Sequence, residues 1–228
     1  MNRISRPHFH PVIDVGETWN VADLSRGCDP AAISLNPPTI GRYNEKRRNM
    51  YTAGLFGGVR DIHMGLDFFV PAGTPVYAFE EGVVLFYRDN DRTGDYGPTI
   101  VTVHKIDPEL LIIPGHSVRS ASGQSSNIGT GKGQRGKDSM EVTLFALYGH
   151  LNRGSLNTLH EGMPLKRGQI IAEVGDEHEN GGWIPHLHFQ LSWERPLEPD
   201  MPGVVSDHDI AKALRTFPDP QIVTGRFY

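Results

Sequence analysis

Short β-rich runs separated by glycine and proline turns dominate the sequence from Asp61 to Trp193. The run TIVTVHKI alternates with a period of two, and VTLFALYGHL, GQIIAEVG and HLHFQLSW are further runs of this kind. Glycine and proline contribute 26 and 17 residues, a turn-rich composition that disfavours a helical bundle. The sequence therefore predicts a mostly β fold whose strands are largely antiparallel.

The character of the chain changes twice along its length. Residues 1–55 are rich in proline and polar side chains and predict an irregular segment that wraps around the main domain. Residues 56–200 carry the β-rich runs and form the predicted central domain. Within that domain, residues 114–139 are rich in Gly and Ser and have no strand pattern, which indicates an inserted loop. Residues 201–228 predict a C-terminal helix and tail.

Two shorter patterns give local predictions. The segment Asp207–Thr216 predicts a short helix with Ser206 or Asp207 as its N-cap, and with Leu214 on its apolar face. The basic cluster Lys46–Arg48 is predicted to be a solvated face, because the total charge of the chain gives no reason to expect an anionic partner.

Composition excludes several classes of protein. The formal net charge of −5 argues against a nucleic-acid partner held by backbone charge. The longest aliphatic run, Leu110–Ile113, is far too short for a membrane span. Cys28 is the only cysteine, so neither an internal disulfide nor a four-thiolate zinc site is possible. The oligomeric state leaves no readable pattern in the sequence.

The compartment is left open by the sequence. The first twenty residues lack the continuous apolar core of a secretory signal, which predicts a cytoplasmic protein from this chain alone. A periplasmic or extracellular location is expected instead if a leader has been removed.

The candidate chemistry lies in three clusters among eleven histidines: HMGLD at 63–67, YGHL at 148–151 and HLH at 186–188. A catalytic zinc ion takes three protein ligands from His and carboxylate side chains and leaves a fourth position for water or substrate. His63, Asp67 and one histidine of the last cluster would supply that set. Packed or surface positions are expected for the other histidines outside these clusters, which are His8, His10, His104, His116, His160, His178 and His208.

Strand geometry tests this grouping. In a strand, His186 and His188 project to the same side at a separation of about 6.6 Å. His63 and Asp67 would lie about 13 Å apart in an ideal strand, which is too far for one ion. The chain must therefore bend between them, and Gly65 permits a bend, so we expect a kinked strand here.

Other metal-binding patterns fit less well. A cupin would place its HxH early and follow it with a nearby Glu, whereas here HxH comes last and Glu194 lies six residues beyond His188. The HExxH pattern is absent, since neither His160-Glu161 nor His178-Glu179 is followed by the second histidine.

In their order and flanking turns, HMGLD, LYGHL and HLHF resemble the HxxxD, GH and HxH motifs of the M23 metallopeptidases, the LytM/lysostaphin-type endopeptidases. The resemblance covers about Asp61 to Trp193 and implies a central antiparallel sheet with an open groove and a zinc ion at its floor. It implies that His63, Asp67 and His188 bind zinc and that His150 and His186 are catalytic. It also implies hydrolysis of peptide bonds in a peptide or peptidoglycan substrate.

Two further functions stay open at this point. Some proteins that resemble this family do not hydrolyse and act as binding or regulatory modules. The tail FPDPQIVTGRFY resembles M23-like domains embedded in larger bacterial polypeptides, which would make this an intracellular metal-dependent hydrolase with a substrate other than the cell wall. A lipoyl-type carrier is disfavoured, because its one candidate lysine, Lys166, is poorly placed for modification.

Overall fold

The computed structural model describes residues 8–111 and 141–228, and these residues form a mostly β fold, as predicted. The predicted loop insertion at 114–139 lies outside the described residues, as does His116. None of the helices in the described ranges has the length and apolar character needed to cross a bilayer.

The strands of the described residues are β1 (Asn20–Val21), β2 (Thr39–Gly41), β3 (Glu45–Lys46), β4 (Ile62–His63), β5 (Leu66–Phe69), β6 (Pro75–Tyr77), β7 (Gly82–Asn90), β8 (Gly97–Ile106), β9 (Val142–Gly149), β10 (Pro164–Leu165), β11 (Ile170–Glu173), β12 (His186–Ser192) and β13 (Val204–Val205). The α-helices are α1 (Ile210–Thr216) and α2 (Gln221–Thr224). Short 3₁₀ helices span Pro30–Ala32, Gly54–Phe56, Pro108–Leu111 and Arg153–Thr158.

One large sheet organises the molecule, with strand order β1-β2-β5-β12-β9-β8-β7-β10. Its neighbouring strands pair antiparallel, except for the parallel pair of β1 and β2 at one edge. Two smaller antiparallel sheets, β11-β6 and β13-β4-β3, accompany it. The predicted antiparallel β architecture is therefore confirmed.

Both faces of the central strands are buried, and this explains the low polarity of β9. Ile100 and Tyr148 pack into the main hydrophobic core, whereas Val101 and Leu147 pack into a second cluster on the opposite face. Alternate residues of a strand point to opposite faces, so each cluster receives every second side chain. The double burial fixes the register of β8 against β9, because a slip of one residue would exchange the two sets.

The kink predicted between His63 and Asp67 is confirmed. Strand β4 ends at His63 and belongs to the three-stranded sheet, whereas β5 begins at Leu66 and belongs to the large sheet. The chain therefore changes sheets at Met64 and Gly65. This change brings the side chains of His63 and Asp67 to one place, as the site requires.

The C-terminal helix is present, but it begins three residues later than expected. Helix α1 starts at Ile210, and the Oγ atom of Ser206 donates a hydrogen bond to Asp209 Oδ2 (2.7 Å) in the turn before it. Leu214, expected on the apolar face, is 43% exposed, while Ala213 is buried. Helix α2 was not predicted.

The first fifty-five residues contribute strands to both sheets near the site. Strand β2 pairs with β5 of the large sheet, with Gly41 opposite Asp67, and β3 pairs with β4, with Glu45 opposite His63. The boundaries predicted for the three segments stay a prediction.

Candidate metal centre and active site

His63, Asp67 and His188 converge on one point. His63 Nε2 lies 3.1 Å from Asp67 Oδ1, His188 Nδ1 lies 3.0 Å from the same oxygen, and the two nitrogens are 3.0 Å apart. The three side chains come from β4, β5 and β12 and are at most 3% exposed. They form a buried group that can hold a metal ion.

Each of the two rings has a hydrogen-bond acceptor beside the nitrogen that points away from Asp67. His63 Nδ1 lies 2.8 Å from the carbonyl oxygen of Arg42, which can accept a hydrogen bond from a proton on Nδ1. His188 Nε2 lies 3.1 Å from Gln190 Oε1, which accepts its proton, while the Gln190 amide donates to Pro202 O. With the protons on these outer nitrogens, the nitrogens that face Asp67 carry lone pairs, as metal-ligating histidines require.

The donor atoms fit a zinc ion. Two nitrogen lone pairs and a carboxylate oxygen 3.0–3.1 Å apart repel one another unless a cation lies among them. Tetrahedral zinc with ligands at about 2.0–2.1 Å places neighbouring ligand atoms about 3.3 Å apart. The triangle of His63, Asp67 and His188 thus approximates one face of such a tetrahedron and leaves the fourth corner for a small ligand.

The protonation states of His63 and Asp67 also suit a bound metal ion. Burial, followed by the nearby charge of Arg47, lowers the pKa of His63 to about 4, so its imidazole is neutral at pH 7. Burial alone would raise the pKa of Asp67, but the positively charged environment, in which Arg47 donates a hydrogen bond to Oδ2, lowers it well below its ordinary value. Asp67 is therefore an anion facing neutral rings.

The prediction that the basic cluster Lys46–Arg48 is a solvated face is wrong for Arg47. Its side chain is 0% exposed and it donates hydrogen bonds to Asp67 Oδ2 (2.6 Å), Glu45 Oε2 (3.0 Å), Tyr51 Oη (3.1 Å) and Arg42 O (3.3 Å). Only its neighbour Arg48 is exposed in the expected way, and Lys46 is half-buried. One of its two counter-charges, Glu45, lies two residues away, whereas the other, Asp67, comes from a strand that the sequence does not place beside Arg47.

His150 and His186 lie next to the metal group and next to each other. Their ring centroids are 4.2 Å apart, and His186 Nε2 is 3.8 Å from Asp67 Oδ1. His186 Nδ1 donates to Ile184 O (2.6 Å) and His150 Nδ1 donates to Asn180 O (2.8 Å). Each ring therefore keeps its Nε2 lone pair as a proton acceptor.

The electrostatic environment keeps both rings neutral. Burial is the largest cause that lowers the pKa of His150, well below its ordinary value, and the charges of His186 and His188 add to it. Burial is also the main cause that lowers the pKa of His186, although Asp67 opposes it. Both groups are available to accept a proton at neutral pH.

The backbone at His150 has an unusual conformation that aims its ring. The φ angle is +62°, in the left-handed region that non-glycine residues seldom adopt. The His150 amide donates to Tyr96 O (2.8 Å) and its carbonyl accepts from the Gly175 amide (2.9 Å), so both sides of the residue are held.

Asn180 was missed by sequence reasoning. It is 0% exposed, its carbonyl holds the proton of His150 Nδ1, and its side chain bonds the backbone of Trp183 twice at 2.9 Å. A backbone carbonyl exists at every residue, so no residue-type signal marks this contact. The only available clue was the sequence Asn180-Gly181-Gly182, which indicates a turn.

The five residues open onto a cavity of about 220 Å³. Its other walls are mainly aromatic and charged and include Tyr51, Phe56, Arg60, Arg92, Asp95, Tyr96, Trp183 and Asp200. These walls carry charges of both signs, positive from Arg60 and Arg92 and negative from Asp95 and Asp200.

No protein-family model matches the chain, and no curated protein matches it. Among solved structures it is similar to the catalytic domain of lysostaphin from Staphylococcus simulans, with 20% identity and a TM-score of 0.42 over 78% of this chain and 95% of that one. Structures described as M23 proteins are among the solved structures that it matches.

Two other matches are to longer chains. A zinc containing peptidase from Vibrio cholerae has 24% identity and a TM-score of 0.40, over 75% of this chain and 36% of that one. A Pseudomonas aeruginosa structure described as a candidate M23 peptidase has 20% identity and a TM-score of 0.39, over 73% of this chain and 45% of that one. The chain thus spans less than half the length of either protein.

Proposed function

We propose that this protein is a zinc-dependent hydrolase of peptide bonds. His63, Asp67 and His188 would hold the zinc ion, and His150 and His186 would be the acid–base groups. The observation that carries the proposal is the triangle of three lone-pair atoms, 3.0–3.1 Å apart and buried. The motif resemblance of HMGLD, LYGHL and HLHF to the M23 metallopeptidases supports the same function.

The proposed hydrolysis gives separate roles to the metal ion, to the two acid–base histidines and to the carbonyls that orient them. A zinc ion at such a site supplies Lewis-acid chemistry, which polarises a carbonyl group and makes water easier to deprotonate. The Nε2 atom of either His150 or His186 would accept one proton from the attacking water, and the imidazolium so formed would pass that proton to the leaving amine. The carbonyls of Asn180 and Ile184 stabilise the positive charge that either ring then carries.

The structure favours hydrolysis over a purely binding module. A binding module has no need of two neutral imidazoles with free Nε2 atoms beside the metal group. Both are present here, 4.2 Å apart by ring centroids. Peptide stems or bridges of peptidoglycan are the proposed substrate class, by the motif resemblance, and a substrate other than the cell wall is the alternative.

A turnover assay tests the proposal. Zinc-loaded protein is incubated with purified peptidoglycan and with unrelated folded and unfolded polypeptides, and new amino termini are counted. We expect release of new termini that stops on chelation and returns when zinc is added back. Tight binding of peptidoglycan by the zinc-loaded protein with no product over long incubation would favour the binding module instead. Cleavage of the polypeptides alone would move the substrate away from the cell wall.

A further inference from the structure

The carboxylate of Asp67 divides its two oxygens between two sets of partners. Oδ1 faces His63 and His188 at 3.0–3.1 Å, whereas Oδ2 accepts a hydrogen bond from Arg47 Nη1 at 2.6 Å. A charge-assisted bond of this length is among the stronger contacts in a protein. With Oδ2 occupied, only one oxygen is left for a metal ion.

Arg47 is itself held on several sides. Its Nε donates to Glu45 Oε2 (3.0 Å), and Glu45 Oε1 accepts from the amide of Leu24 (3.1 Å). Its Nη1 also donates to the hydroxyl of Tyr51 (3.1 Å). The guanidinium plane therefore has little freedom to turn, and it fixes the plane of the carboxylate that it contacts.

The segment Gly41–Arg47, which contains Arg47, also contacts His63. The carbonyl of Arg42 accepts the proton of His63 Nδ1 (2.8 Å) and a hydrogen bond from Arg47 Nη2 (3.3 Å). One carbonyl thus links the outer contacts of two of the three metal-site residues. Gly41 makes room for this arrangement, because a Cβ there would lie 2.8 Å from Arg47 Nη2 and 3.1 Å from Asp67 Oδ2.

We propose that Arg47 is a positioning residue for the metal site, and that Glu45 holds it in place. Arg47 keeps Asp67 as a single-oxygen ligand with a fixed direction and offsets part of its negative charge. The segment Gly41–Arg47 is then part of the metal site, although it lies before the predicted central domain. This inference rests on the proposed function, since it assumes that Asp67 binds the metal.

Zinc affinity measures this role directly. Each variant is stripped of metal, and its zinc dissociation constant is measured by competition with a chromogenic chelator. We expect Arg47→Met to weaken zinc binding by about 10- to 100-fold, the usual effect of losing an outer contact to a metal ligand. Arg48→Met is the matched control, because it removes the same group from the exposed neighbouring residue, and its affinity is expected to equal that of the wild type.

Two further variants separate positioning from a general effect on folding. Arg47→Lys keeps the charge but lacks the planar fork, so we expect a loss of less than about tenfold. Glu45→Gln keeps the shape of the side chain that holds Arg47, and a partial loss is expected there as well. If Arg47→Met does not fold, these two variants decide whether Arg47 positions the metal site.

A double-mutant cycle asks whether Arg47 acts through Asp67. In an Asp67→Asn background, Arg47→Met is expected to cause a much smaller additional loss of zinc affinity than in the wild type. Cobalt(II) provides an independent readout, since the intensity of its visible absorption reports the number of ligands. We expect the Arg47→Met spectrum to change toward a higher coordination number as the second oxygen of Asp67 becomes free.

Failure of the inference about Arg47 can be distinguished from failure of the proposed function. Wild-type zinc affinity and an unchanged cobalt spectrum in folded Arg47→Met, or in Arg47→Lys and Glu45→Gln together, would overturn this inference and leave the proposed function intact. A wild-type protein that binds no zinc at all would instead overturn the proposed function and this inference with it.

Discussion

Gly65 lies directly against the imidazole of His188. A Cβ atom at Gly65 would stand 2.5 Å from His188 Cε1 and 2.7 Å from His188 Nε2. It would also stand 2.8 Å from the carbonyl oxygen of Phe189. The glycine that permits the change of sheet between His63 and Asp67 therefore also makes room for the third member of the metal group.

A methyl group at this position is expected to displace His188. For Gly65→Ala we expect a loss of about 1–3 kcal/mol in the free energy of unfolding, as for other overpacked sites, and weaker zinc binding. Denaturant titration of the metal-free protein measures the first and chelator competition the second.

Gly154→Ala is the control, since its added Cβ would meet only an ordinary contact, 3.7 Å from Asn152 Oδ1. Equal stability and equal zinc affinity for the two alanine variants would contradict this account of Gly65.

Removing either acid–base imidazole is expected to separate metal binding from turnover. His150→Ala and His186→Ala are expected to retain zinc and to lose about 10²- to 10⁴-fold in kcat, the usual contribution of general acid–base groups. Each ring is held by its own carbonyl and faces the cavity without donating to the metal group. Zinc content and kcat are measured on the same preparations, with the exposed His160→Ala as control. Full activity in both variants would remove these histidines from the mechanism.

Asn180 is expected to matter for catalysis although it does not face the substrate through its side chain. Asn180→Ala removes the buried side-chain hydrogen bonds to the Trp183 backbone, and these bonds hold the turn whose backbone carbonyl at residue 180 orients His150. We expect a stability loss of about 1–3 kcal/mol, a lower kcat and an unchanged zinc content. The exposed Asn157→Ala is the control. A wild-type kcat in Asn180→Ala would show that the turn holds His150 without this side chain.

The buried His104 predicts a pH dependence of stability that is separate from the metal site. Burial lowers its pKa to about 4, and its neutral ring lies 2.9 Å from Glu81 O and 2.7 Å from Thr102 Oγ1. The unfolded state, with a pKa of about 6.5, binds the proton more readily. The stability that this group contributes is therefore fully present above pH 6.5 and is lost as the pH falls toward 4.

Substitution of His104 tests whether this residue causes the loss of stability at low pH. In metal-free protein, His104→Gln is expected to flatten the dependence of unfolding free energy on pH between 6.5 and 4 by up to about 1.4 kcal/mol per pH unit. His208→Gln, at a side chain that is 93% exposed, should leave the slope unchanged. Identical slopes for wild type and His104→Gln would contradict the assigned protonation of His104.

Local patterns were enough to predict much of this arrangement. The alternation in β8, the mostly antiparallel β class and the bend at Gly65 follow from residue types and spacings within one short segment. The meeting of His63 and Asp67 with His188, which lies 121 positions beyond Asp67, was expected from the motif resemblance and not from local spacing. Their role as zinc ligands remains a prediction.

Contacts between distant segments were not predictable in the same way. No sequence pattern indicated that β6 would pair with β11 and not with its neighbour in the chain, β7. Arg47 looked like a surface residue because Asp67, its counter-ion, lies twenty positions away on another strand. The turn that begins at Ser206 delays α1, since Ser206 bonds the side chain of Asp209.

The metal content of purified protein tests the central claim most directly. Wild type, His188→Ala and the exposed-site control His208→Ala are prepared side by side, and zinc is measured per chain. We predict close to one zinc ion per chain in the wild type and in His208→Ala, and almost none in His188→Ala. Absence of zinc from the wild type even after zinc is added back, or full retention in His188→Ala, would contradict the proposed metal centre.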